Sequence, residues 1–120
     1  MFLAVCAAVA MGGCGRAPSK VEDAHELVRQ AVEARTAGKN DEALALFNRA
    51  LEIRAVPYVY FERAKLHHDL HDDQAALADC AKGLEIDPEY RDLRWYREEL
   101  SKPVARQFQG AKARPPSANR

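Results

Sequence analysis

The sequence has no excess of either charge. Its 18 basic and 18 acidic residues balance, whereas a protein that binds a polyanion usually carries a basic surplus. We therefore expect no nucleic-acid partner. The balance is uneven along the chain, because the last acidic residue is Glu99 and basic residues continue beyond it. Residues 103–120 are also poor in apolar side chains, so we predict a disordered basic tail there.

Groups that carry chemistry are scarce. The chain has no glycine-rich phosphate loop, no closely spaced cysteine pair for zinc, and no evident nucleophile with a base and an orienting acid. Its three cysteines (Cys6, Cys14 and Cys80) lack the paired spacing of a disulfide framework. Cys80 falls on an apolar helical stripe, where a buried thiol is expected. We predict a protein that is not an enzyme and has no cofactor.

No apolar run is long enough to cross a bilayer as a helix. The longest, residues 2–11, has instead the length of a signal-peptide core. Gly12 and Gly13 then lead directly into Cys14. Small residues before a cysteine resemble the lipobox of bacterial lipoproteins. An ordinary secretory signal that is cleaved nearby is the alternative.

The lipobox resemblance implies three features of the N-terminal region. Residues 1–13 would be a lipoprotein signal peptide, Cys14 would carry acyl chains, and residues 14–19 would tether the domain to the membrane. Gly15 follows the cysteine, where inner-membrane lipoproteins of diderm bacteria carry an aspartate. The expected location is therefore the cell envelope, on the outer membrane facing the periplasm.

Most of the remaining chain repeats one pattern. At an offset of 33 residues Ala31 aligns with Ala64, Leu44 with Leu77, and residues 51–53 with 84–86. Within each copy, apolar residues recur at steps of three and four, which predicts pairs of amphipathic helices. A period of this length is typical of repeat proteins, whose units stack to bury their apolar faces.

Several of the aligned residues resemble the tetratricopeptide repeat (TPR) family. The matching positions are the small residues of both helices, the turn glycine, the aromatic residue and the closing proline (Ala31, Ala64, Ala43, Ala76, Ala50, Gly38, Phe47 and Pro88). The resemblance implies an all-α fold, a short α-α superhelix of two helical hairpins. The implied domain spans residues 20–102, with repeats at about 24–56 and 57–90 and a capping helix at 88–102.

In TPR proteins the first helices of successive repeats line a concave groove that holds a peptide. Carried over, the groove residues are His25, Val28, Arg29, Val32, Arg35, Tyr58, Phe61, Glu62, Lys65, His68 and Trp95. Exposed aromatic residues beside arginines are typical of binding hot spots. The alternative is that Phe61 and Trp95 pack against each other between helices.

The resemblances together imply a membrane-anchored interaction module, a scaffold or adaptor for a protein or peptide partner in the envelope, with self-assembly also possible. Two other functions stay open. His67, His68 and His71 suggest a metal-responsive protein, but His67 lies on the core stripe and His71 at a turn, so we expect no metal site. The basic tail suggests binding to an anionic envelope polymer.

Overall fold

The computed structural model describes residues 23–109 and 114–119, and this part of the chain is all-helical, without strands. Its elements are α1 (Ala24–Thr36), α2 (Asn40–Ile53), α3 (Pro57–Asp69), α4 (Asp73–Ile86), α5 (Arg91–Leu100) and 3-10 turns at Val104–Arg106 and Pro116–Asn119. None of these helices has the length and apolar character that a bilayer crossing requires. The proposed signal peptide, Cys14 and the tether lie outside the described residues.

The repeat in the sequence corresponds to a repeated hairpin. The bounds of α3 and α4 are those of α1 and α2, each moved by 33 residues. The helix α1 packs against α2, and α3 packs against α4, while α2 contacts α3 and α4 contacts α5. The prediction of an all-helical chain is confirmed in the described residues, and each predicted repeat contains one hairpin.

Both helices of each hairpin contain a completely buried alanine. Ala31 and Ala64 in the first helices and Ala43 and Ala76 in the second helices are completely buried. A methyl side chain lets two helix backbones approach closely, which larger side chains would prevent. The small residues that repeat in the sequence therefore permit close packing within each hairpin.

Gly83 in α4 allows close contacts with α5 and α3. A Cβ atom at this position would overlap the side chain of Leu93 in α5 and lie 3.2 Å from the Cβ of Tyr60 in α3. The equivalent residue in the first hairpin is Ala50. Because Gly83 has no side chain, α5 can pack directly onto α4.

A partly buried ion pair and an adjoining hydrogen bond link three helices. The Nε and Nη2 atoms of Arg63 donate to the two carboxylate oxygens of Asp79 at 2.8 and 2.5 Å, and its Nη1 donates to Asn48 at 2.7 Å. Hydrogen bonding to Asp79 raises the pKa of Arg63. These contacts join α3 to α4 within one hairpin and to α2 of the other, and the sequence pattern did not indicate them.

The last helix is shorter than the expected one. The last helix was expected over 88–102, yet it begins at Arg91 and ends at Leu100. The Asp87 side chain accepts a hydrogen bond from the Glu89 amide at 3.0 Å, which holds residues 87–90 in a turn before the helix.

Residues 103–120 are predicted to be disordered, and their described parts, 103–109 and 114–119, form hydrogen bonds with α5. The Phe108 amide donates to Glu99 Oε2 at 2.8 Å, and the Ser117 amide donates to Asp92 Oδ1 at 3.0 Å. Both acceptors lie on α5 and are buried; Glu99 is only 1% exposed. Composition suggested a solvated tail because it could not show that α5 offers buried carboxylates to this segment.

The turns between paired helices lead to a stability prediction. Gly38 and His71 occupy equivalent positions and both adopt the left-handed conformation, with φ of 80° and 60°. This conformation costs a residue with a Cβ about 1 kcal/mol, and glycine much less. His71→Gly should therefore raise the free energy of unfolding by about 0.5–1 kcal/mol. Gly38→Ala, the matched control, should lower it by a similar amount. Urea denaturation followed by far-ultraviolet circular dichroism measures both, and changes of the same sign would contradict the prediction.

Candidate functional site

A cavity of about 490 Å³ lies between α1, the start of α3 and the loop before α3. Its apolar wall consists of valines, including Val28 and Val32 from α1 and Val59 from α3. Tyr58 stands beside them and is 47% exposed. We call this space the valine cavity; its lining residues are Ala24, His25, Val28, Arg29, Val32, Glu33, Arg54, Val56, Tyr58 and Val59.

Arg29 and Glu33 lie at the polar edge of the valine cavity, and Arg29 is already paired. Its Nε donates to Glu26 at 2.9 Å, and its Nη1 donates to Glu33. Hydrogen bonds from Arg29 lower the pKa of Glu26 to about 2. A ligand that uses Arg29 must therefore share it with two carboxylates of the same helix.

A second, smaller cavity of about 230 Å³ lies between the end of α1, α3 and α5. Its lining residues are Arg35, Phe61, Lys65, His68, Asp69, Trp95, Tyr96, Phe108 and Pro115. We call it the aromatic cavity. Phe108 and Pro115 come from the C-terminal segment, so the described tail contributes directly to this part of the surface.

The predicted groove residues are divided between these two cavities. His25, Val28, Arg29, Val32 and Tyr58 line the valine cavity, and Arg35, Phe61, Lys65, His68 and Trp95 line the aromatic cavity. Glu62 lines neither, because it is buried under an ion network. Its carboxylate accepts from Lys65 Nζ at 2.9 Å and lies 3.7 Å from Arg35 Nη2.

The Glu62 network also connects α1 to α3. Arg35 Nη1 lies 3.2 Å from Asp69 Oδ2, so this guanidinium bridges the two first helices. Its Nε atom is buried and has no hydrogen-bond partner within the described residues. Burial, together with the negative charge of Glu62, raises the pKa of Tyr58. The charge of Glu62 therefore affects Tyr58, which lines the valine cavity.

The aromatic residues form a continuous cluster. Phe61 meets Tyr96 edge-to-face with ring centroids 5.6 Å apart, and Trp95 lies 5.8 Å from Tyr96. Phe61 is only 4% exposed, so the expectation of an exposed hot-spot residue is wrong at this position. The alternative, packing between helices, describes Phe61 better, with Tyr96 in contact with both Phe61 and Trp95. Burial raises the pKa of Tyr96.

Sequence reasoning missed the role of Phe108. Its ring lies 5.2 Å from His68, 5.3 Å from Tyr96 and 5.7 Å from Trp95, measured between centroids. It is the one aromatic residue in the segment after Leu100. An isolated aromatic residue in an otherwise polar segment is the signal that could have identified it.

The three clustered histidines have separate surroundings. His67 Nε2 lies 3.6 Å from Asp79 Oδ2, and His68 Nδ1 lies 2.6 Å from Asp73 Oδ1, while His71 is exposed at the left-handed turn. Within the described parts of the chain, no group of three or more His, Cys, Asp or Glu side chains could hold a metal ion. The geometry therefore gives the metal-responsive alternative no support.

Cys80 lies in the core of the second hairpin. Its side chain is buried, and burial raises the pKa of the thiol to about 12. The thiol is therefore protonated at neutral pH, whereas nucleophilic chemistry requires the thiolate.

Comparison with protein-family models finds no match, and comparison with curated proteins and with solved structures finds no significant similarity.

Two of the aromatic residues of α3, Phe61 and Tyr58, should respond differently to truncation. Phe61→Ala removes a buried ring and should lower the free energy of unfolding by about 3–5 kcal/mol. Tyr58→Ala removes a half-exposed ring and should cost less than about 1.5 kcal/mol. Urea denaturation of the two variants measures both effects. Equal losses would mean that Tyr58 also belongs to the core, and Tyr58→Ala would then be unsuitable for testing binding.

Proposed function

We propose that this chain is a membrane-anchored protein–protein interaction module of the bacterial cell envelope. It acts as a scaffold or adaptor that binds a segment of another protein. The single observation that carries the proposal is the position of the predicted groove residues. All of them except Glu62 line one of two open cavities on the face formed by α1, α3 and α5.

The TPR-type superhelix is the architecture we propose for this module. Three features support it: two hairpins related by 33 residues, buried alanines at equivalent places, and left-handed residues at both turns. In that architecture α1 and α3 line the concave face, and α5 is the capping helix. Solenoids of this kind need such a cap to cover the last apolar surface.

The valine cavity is the part of the face best suited to a partner's side chain. Its volume falls within the range of about 300–1,000 Å³ that is typical of ligand sites. Its apolar wall can accept an aliphatic or aromatic side chain, while the charged residues at its edge interact with the ligand's polar backbone. An exposed tyrosine beside such a wall is a common anchor in protein interfaces.

Self-association is part of the proposal. Two repeats are fewer than the three that usually give a stable solenoid, so a partner or a second copy would complete the buried surface. One large apolar side chain available for such contacts is Ile53, which is 45% exposed at the end of α2.

A photo-crosslinking experiment in intact cells tests the binding face. A photoreactive amino acid at position 58 or 32 should crosslink to a discrete partner, because both side chains line the valine cavity. The same amino acid at position 86 is the matched control, since Ile86 is 48% exposed but lines neither cavity. Tyr58→Ala should also lower partner recovery on the order of tenfold, as for other interface hot spots. Crosslinking only from position 86 would contradict the proposal.

The lipid anchor is tested separately. In a bacterial host, the wild-type chain should incorporate labelled palmitate, and Cys14→Ala should lose the label and leave the membrane fraction, since several acyl chains are needed for stable anchoring. Cys80→Ala serves as the control, because this thiol is buried in the helical domain and should not affect labelling. A label that persists in Cys14→Ala would exclude the proposed site.

A further inference from the structure

Phe108 of the tail forms one wall of the aromatic cavity and packs against the rings of His68, Trp95 and Tyr96. We infer that the pocket formed by Phe61, His68, Trp95 and Tyr96 is a receptor for an aromatic side chain of a peptide, and that Phe108 is its built-in occupant. A partner binds there by presenting an aromatic residue in place of Phe108. The inference rests on the proposed function, because it names the class of ligand that this part of the groove accepts.

The ring contacts define what the pocket accepts. Phe108 lies 5.2–5.7 Å from the rings of His68, Trp95 and Tyr96, and its planes are tilted at 37–63° to theirs. These separations fall within the range of favourable aromatic pairs, about 4.5–7 Å. The rings of His68, Trp95 and Tyr96 surround that of Phe108, and a flat side chain fits among them. An aromatic ligand therefore fits better than a branched aliphatic one.

Backbone recognition accompanies the ring contacts. The Phe108 amide donates to the buried carboxylate of Glu99 at 2.8 Å. The Gln107 side chain donates to the carbonyls of Leu100 and Lys102 at 3.2 and 3.0 Å. Carbonyls at the end of a helix lack partners within the helix, so they are available to an incoming donor. A ligand with a glutamine followed by an aromatic residue can therefore donate to the carbonyls of Leu100 and Lys102 and also place its ring in the pocket.

The segment is held in a way that permits exchange. Phe108 adopts φ of 54°, a left-handed conformation that is unfavourable for an aromatic residue. Residues 103–106 are exposed, and Val104 is 80% exposed. The described contacts of this segment are therefore concentrated at Gln107 and Phe108. A peptide that enters the pocket without backbone strain can replace them while the helical hairpins stay folded.

Phe108 competes with an external peptide for the pocket, because a short segment of the chain joins it to α5. A segment joined to α5 by a short connection has a high effective concentration at the pocket. It lowers the apparent affinity for an external peptide by the fraction of time that the pocket is filled. Removal of the Phe108 ring should therefore increase that affinity on the order of tenfold.

A peptide titration tests the inference with the full chain. The probe is a synthetic peptide with the sequence of residues 103–109, Pro-Val-Ala-Arg-Gln-Phe-Gln. Trp95, the single tryptophan of the chain, lies in the pocket and reports binding through its fluorescence. We expect the peptide to bind Phe108→Ala at least about tenfold more tightly than wild type. A peptide with alanine in place of its phenylalanine should not bind.

Circular dichroism of Phe108→Ala provides the folding control. If the helical signal is retained, equal binding to both chains, or binding to neither, overturns the inference and makes Phe108 a simple packing residue. If the signal is lost, the same titration is carried out with Gln107→Ala. This variant removes hydrogen bonds from the segment and leaves the aromatic cluster intact. Tighter peptide binding than wild type then supports the inference, and unchanged binding overturns it.

The titration is independent of the cellular partner. A pocket that binds the peptide, in a chain that gives no crosslinks from position 58, would sustain the aromatic receptor and contradict the proposed function of the valine cavity. The reverse result would leave the binding face in place and remove Phe108 from its mechanism.

Discussion

The structure depends on close packing between paired helices at alanine. Ala31 with Ala43, and Ala64 with Ala76, are buried at equivalent places of the two hairpins. Because α1 packs against α2 and α3 packs against α4, α1 and α3 lie side by side, and the face that carries the two cavities is uncovered. A small residue again permits close packing at Gly83, where α5 packs against α4. The face that carries the candidate groove is a consequence of this packing.

Most charged and aromatic groups of the uncovered face that are described above already have partners within the chain, Arg35 Nε being an exception. Arg29 is paired with glutamates of its own helix, Glu62 with Lys65, and the aromatic pocket with Phe108. A ligand at this face therefore exchanges existing contacts and does not fill an empty charged surface. Exchange of this kind lowers net affinity but favours ligands that reproduce the displaced contacts, because others leave buried groups without partners. The valine cavity differs in that its apolar wall remains open.

Local and periodic features were predictable from the sequence. The helical content, the two hairpins, the buried alanines and the turn at Gly38 follow from short-range spacing repeated at a constant period. The TPR resemblance predicted a single groove, whereas the structure divides its residues, except Glu62, between two cavities. The start of α5 was less predictable: Pro88 was expected inside this helix, but a turn hydrogen bond from Glu89 to Asp87 competes with helix extension.

The sequence by itself determined the helices, their pairing and the small residues that join them, since each depends on neighbours within one repeat. Only the tertiary structure decided which charged and aromatic groups are buried. Asp79 meets Arg63 across 16 positions, Glu99 meets Phe108 across 9, and Asp92 meets Ser117 across 25. None of these pairs follows the repeat. A charged residue in a helix is expected to face water unless a partner covers it, and that partner becomes visible only once the chain has folded.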